Sequence, residues 1–170
     1  MKRSASTGPF YEDLEVGDVY MSHIGRTVTE TDNILFTHLI LNFNQVHFNY
    51  PYAEATRFHK PVVNSTLTLA LITGLSTPDT SQNAFANLGW TDVKLRNPVF
   101  IGDTLWAETE ILEKRDSKSN QSVGIVSVRS RGINQNSEVV IEFRRSFMIY
   151  KRNGPELPTV TPRTADEWTV

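Results

Sequence analysis

A chain of 170 residues is long enough for one domain with a sizeable core. Its 39% hydrophobic and 21% charged residues describe an ordinary globular protein, and a net charge of −2 argues against one built mainly to hold nucleic acid. The absence of cysteine excludes disulfides, thiolate catalysis and cysteine-ligated zinc.

Residues 1–9 are small and polar and read as a flexible N-terminus. Lys2 and Arg3 are not followed by an apolar stretch, so no secretory signal is expected. No run of about 18 apolar residues suggests a membrane span, and the cytoplasm is the default expectation. Residues 10–150 read as one domain. Gly17 to Val28 is expected to open a sheet. Residues 30–42 mix Ile34, Phe36, Leu39 and Leu41 with polar residues and predict a helix. Thr29 and Asp32 stand at the spacing of a capping arrangement. Phe43 to Val63 is irregular, with a short helical piece near Ala53–Arg57.

Leu67, Leu71 and Leu75 then recur at helical spacing over residues 65–75, beside Ala70 and Ile72. That pattern predicts a buried helix capped by Asn64 or Ser65. Residues 84–97 read as a weaker strand ended by Pro98. Residues 103–115 alternate, with Leu105, Ala107, Thr109 and Ile111 on one face and Trp106, Glu108 and Glu110 on the other. Turn clusters at Asp116–Asn120 and Asn134–Ser137 separate two further strands, 122–133 and 138–150, giving an antiparallel meander. Residues 151–170 form a polar tail with Pro155, Pro158 and Pro162 that either wraps the domain or stays mobile. A sheet wrapped around one long apolar helix is a hot-dog fold of the α+β class.

Long irregular segments in compact domains are often functional. This one brings His47 together with the amides of Asn42, Asn44, Gln45 and Asn49, and runs into the start of the buried helix at Asn64–Ser65. Histidine titrates near neutral pH. A helix N-terminus offers free N–H groups to a developing oxyanion. A base beside such donors suits enolate-forming chemistry next to a thioester carbonyl. Asn42, Asn44 and Asn49 are equally at home as turn residues, and Asn64 and Ser65 as helix caps. No cluster has metal-ligand spacing, and no cofactor is expected.

The segment resembles the MaoC-like hydratases, also called R-specific enoyl-CoA hydratases. Their G-D-x-N-P-x-H-x-D motif places His47 on the catalytic histidine and Asn44 on the internal asparagine. Pro61-Val62-Val63-Asn64-Ser65 falls on the family's P-I-A-H-G, and Pro98-Val99-Phe100-Ile101-Gly102-Asp103-Thr104-Leu105 on P-V-x-x-G-D-T-L. The chain departs from the motif at Asn42, where the family usually has Asp, and at Gln45, Asn49 and Asn64-Ser65. A branch acting on C5 dicarboxylic esters of the mesaconyl-, itaconyl- and methylmalyl-CoA types is most similar. It shares Thr27 to Asn33, an asparagine at the place of Asn42, and Asn87-Leu88-Gly89-Trp90.

The resemblance implies hydration or dehydration of an enoyl-CoA, with coenzyme A present only as part of the substrate. His47 transfers the proton, Asn42 helps position water, and the backbone N–H groups of Asn64 and Ser65 hold the oxyanion. Substrate contacts are expected from Arg57, Lys60, Val63, Asn83, Ala86, Asn87, Lys94 and Arg96. It also implies a homodimer with the coenzyme near the interface, and neither nucleic acid nor membrane as partner. The alternatives are a hot-dog thioesterase and a catalytically weakened acyl-CoA-binding protein.

Overall fold

The computed structural model describes residues 8–158. The expectations for residues 1–7 and 159–170 lie outside the described residues.

The chain opens with a 3-10 turn at Tyr11–Asp13 and two short strands, β1 (Val19–Met21) and β2 (Arg26–Thr27). Helix α1 (Glu30–Leu39) and the short α2 (Tyr50–Glu54) flank a second 3-10 turn at Gln45–His47. The long helix α3 (Ser65–Thr80) follows, and then β3 (Ala84–Leu95), β4 (Thr104–Asp116), β5 (Val123–Asn134) and β6 (Val139–Tyr150). The six strands form one antiparallel sheet in the order β1-β4-β5-β6-β3, with β2 also on β4. This is the α+β hot-dog arrangement: one face of the sheet closes on α3.

The alternation in β4 decides which face is which. Leu105, Ala107, Thr109 and Ile111 are buried as expected, while Glu108 and Glu110 point outward and pair with Arg131 and Arg129 of β5 at 2.5 and 2.6 Å. Helix α3 buries Leu67, Ile72 and Leu75 in a core with Val28, Val63, Val99, Val140 and Phe143. Each such side chain contributes roughly 1.5–3 kcal/mol. The helix reaches the sheet closely at Gly132, where a β-carbon would sit 2.6 Å from Ile72 Cγ1.

Several boundaries move for physical reasons. Helix α3 continues to Thr80, past Pro78. Pro78 and Gly74, whose carbonyl loses its helical donor there, are both exposed. Side-chain hydroxyls support the last turns: Thr77 Oγ1 donates to the Thr73 carbonyl at 3.0 Å, and Thr80 Oγ1 to that of Ser76 at 2.6 Å. Helix α1 stops at Leu39 because Leu41 turns left-handed (φ 57°). Its cap is the expected reciprocal one: Asp32 N–H donates to Thr29 Oγ1, and Thr29 N–H to Asp32 Oδ2. Helix α2 lies earlier than expected because Asn49 caps it, accepting from Tyr52 N–H at 3.3 Å.

Strand β3 forms one edge and carries three register shifts against β6. Its Phe85, Leu88, Trp90, Val93 and Leu95 are 44–57% exposed. At the far end of α3, Arg145 is buried, donates to Ser81 Oγ at 2.7 Å and lies over the Phe147 ring. Burial pushes its guanidinium down to about 10. Among the described residues, no helix is long and apolar enough to cross a membrane.

Candidate active site

The site is built where the 3-10 turn at Gln45–His47 meets the entry to α3. Asn44 starts the turn, its Oδ1 accepting from Val46 N–H at 3.3 Å. The Val46 carbonyl then accepts from Val62 N–H at 3.1 Å. Val62 returns the contact, its carbonyl lying 2.8 Å from His47 Nδ1. A carbonyl can only accept, so that contact places the proton of neutral His47 on Nδ1. Nε2, the lone-pair nitrogen of that tautomer, has no hydrogen-bond partner among the described residues.

Asn33 of α1 ties the same parts together from beneath. It is fully buried, and its Nδ2 donates to the His47 carbonyl at 2.8 Å and to that of Val62 at 3.3 Å. Its Oδ1 accepts from Asn64 N–H at 2.8 Å. Three segments distant in sequence therefore share one side chain. Sequence reasoning assigned Asn33 no role; the one signal was its place in the Thr27–Asn33 stretch shared with the C5 branch.

This bonding separates the two expected oxyanion donors. Asn64 N–H is engaged by Asn33, and the Asn64 side chain caps α3 by accepting from Thr66 N–H at 3.0 Å. The N–H of Ser65, an exposed residue at the start of α3, has no partner among the described residues. Asn42 forms a local turn, its Oδ1 accepting from Asn44 N–H at 3.1 Å, which leaves its Nδ2 to donate elsewhere. Asn49 caps α2 and donates to Gln45 Oε1 at 2.5 Å.

A cleft of about 280 Å³ opens beside Ser65. Val62, Val63, Thr68, Val99 and Val140 form much of its wall, with Arg57 and Arg96 also lining it. His47 is outside the lining and joins the cleft through Val62. Lys60 stands over the Phe100 ring, 4.1 Å from its centre, in a neighbouring polar cleft.

The structure removes other expected contacts from this neighbourhood. Asn83 is spent at the far end of α3, where its Nδ2 donates to the carbonyls of Gly8 and Pro9. That pairing also anchors two residues expected to be loose. Ala86 and Asn87 lie on the half of β3 paired to Met148 and Phe147, whereas Leu95 at the other end lines the cleft. Roughly 30 Å of extended strand separates Ala86 from Leu95. Lys94 lies near Glu142, whose carboxyl is held below its ordinary range, chiefly by the hydrogen bond from Arg96. No group of three or more metal-ligating side chains occurs among the described residues.

A hot-dog sheet around one helix, with a histidine laced to that helix's N-terminus, defines the class. The chain matches the family described as MaoC like domain over residues 13–132, and it belongs to that family. It is 33% identical to beta-methylmalyl-CoA dehydratase of Chloroflexus aurantiacus, over 100% of this chain and 49% of that protein. It is 34% identical to mesaconyl-CoA hydratase of Cereibacter sphaeroides, over 90% and 44%. The chain thus spans about half the length of these curated relatives. Among solved structures, a putative MaoC domain dehydratase from Chloroflexus aurantiacus superposes with a TM-score of 0.83 at 33% identity, covering 97% of this chain and 47% of that one. A Mycobacterium tuberculosis protein described as a double hot-dog fold superposes at 0.79 over 95% and 53%; at 21% identity it supports the fold alone.

Proposed function

We propose that this domain adds water to, or removes it from, the double bond of an enoyl-CoA thioester, acting on C5 dicarboxylic esters such as mesaconyl-CoA. The observation that carries the reading is the His47 Nδ1 contact with the Val62 carbonyl, which leaves Nε2 as the lone-pair base on a residue bonded to the segment that enters α3. The names of the two curated relatives support the substrate class.

In the hydration direction, His47 Nε2 takes a proton from water as the oxygen bonds to the β-carbon. The electron pair of the double bond moves toward the thioester carbonyl, and Ser65 N–H stabilises the enolate oxygen. The imidazolium then returns a proton to the α-carbon, so one residue serves both transfers and water is consumed whole. The free Nδ2 of Asn42 is suited to donate to the attacking water, a role that needs no carboxylate. Coenzyme A enters only as part of the substrate.

The reading includes a second copy of this chain paired along β3. An edge strand with five large exposed apolar side chains is a pairing surface, and the relatives are about twice as long as the chain. A two-fold antiparallel pairing about the middle of β3 carries the partner's Ala86 and Asn87 toward the end at Leu95. That would return both residues to the neighbourhood of the cleft.

Steady-state hydration of mesaconyl-CoA, followed at the enoyl thioester absorbance, tests the reading. His47→Ala is expected to lower kcat by about 10²–10⁴-fold. A rate within about threefold of wild type, or thiol release in place of hydration, overturns it.

A further inference from the structure

Four basic side chains stand near the site in sequence, and the structure separates them by what they already hold. Arg96 is paired with Glu142 at 2.6 Å. Lys94 contributes to the same carboxylate's environment. Lys60 lies in a cleft that also holds Asp103 and Glu138. Arg57 lines the cleft beside Ser65 and has no carboxylate partner among the described residues. Its guanidinium sits 4.8 Å from the centre of the Phe58 ring, a contact that holds the planar group without neutralising it. No aspartate or glutamate lines that cleft.

We propose that Arg57 binds a free carboxylate on the acyl chain and thereby sets a preference for dicarboxylic over monocarboxylic acyl thioesters. This rests on the hydratase reading for where the thioester lies. The cleft offers an open N–H at Ser65, an apolar wall of Val62, Val63, Val99 and Val140, and one uncommitted cation. A short branched acyl group with a thioester at one end and an anion at the other matches that order. Arginine suits the task because its fork meets both carboxylate oxygens. A coenzyme phosphate presents the same oxyanion chemistry, but the apolar wall favours the acyl chain as the occupant.

Calorimetric binding of methylsuccinyl-CoA and 2-methylbutyryl-CoA tests the proposal. Both are saturated, and in the methylsuccinyl isomer whose methyl branch lies on the carbon α to the thioester carbonyl they differ only in carboxylate against methyl. The wild type is expected to bind the dicarboxylic ester at least tenfold more tightly. Arg57→Gln should weaken that ester by about 10- to 100-fold and leave the other within threefold, since a charge-assisted pair is worth that much. Arg57→Lys should fall between. A parallel loss for both esters assigns Arg57 to a coenzyme phosphate and overturns the proposal. So does an unchanged affinity for both, or a wild type without preference. Neither ester has a double bond to hydrate, so the result is independent of whether the domain is a hydratase.

Discussion

At the scale of single residues, the site depends on Asn33 as much as on His47. Asn33, itself fully buried, satisfies two carbonyls and one N–H. Asn33→Ala strands those groups, and each stranded buried group costs about 1–3 kcal/mol. Some relaxation will spare part of the sum, so a loss of about 2–4 kcal/mol in urea unfolding is expected. Hydration should fall at least tenfold through kcat, because the His47 backbone and the α3 entry lose their common tie. Asn33→Asp keeps the acceptor for Asn64 N–H but turns a charge toward two carbonyls, and it should be no better than Ala. Full activity in either variant would show that the tie is dispensable. The asparagines around His47 were legible as polar turn residues, and most of their hydrogen bonds are local caps. Asn33 was not legible: it follows Asp32 on a mixed helix, where a polar side chain reads as solvated.

At the scale of elements, the packing of α3 on the sheet turns on one missing side chain. Gly132 carries no unusual φ; it is small because Ile72 occupies the space a β-carbon would need. Gly132→Ala is expected to cost about 1–3 kcal/mol by overpacking. The same change should cost less in an Ile72→Ala background, where the two nearest opposing atoms are gone and Ile141 Cγ2, at 3.0 Å, remains. Equal costs in both backgrounds, read from urea midpoints, would place the strain elsewhere. The strands β4, β5 and β6 were legible almost to the residue because period-two alternation encodes which face is buried. The end of α3 was not, since Pro78 signals a stop that the helix tolerates where Pro78 and the Gly74 carbonyl it fails to pair are both exposed.

At the scale of the whole molecule, β3 is the unfinished element. Its pairing groups face outward on one side, and Leu88 is 52% exposed. Leu88→Lys places a charge in the proposed pairing edge and should shift sedimentation from dimer to monomer. Hydration should fall with it if the partner's Ala86 and Asn87 complete the cleft. A wild-type chain that sediments as a monomer with full activity would refute that assembly.

By itself the sequence determined what depends on local pattern: the β4-β5-β6 meander and its faces, the α1 cap, the apolar helix, and the motif around His47 that carries the resemblance. Those features are encoded within a few residues, where periodicity and capping chemistry act. Only the tertiary structure decided the places of β1 beside β4 and of β3 beside β6, and which donors stay open. His47 meets Val62 15 residues away, and Asn33 meets Asn64 31 residues away. No local rule states that Asn64 N–H is taken, that Asn83 is spent on the N-terminal segment, or that Arg57 keeps its charge uncommitted. Such contacts follow from chain closure over long separations, and closure is settled by packing the whole domain.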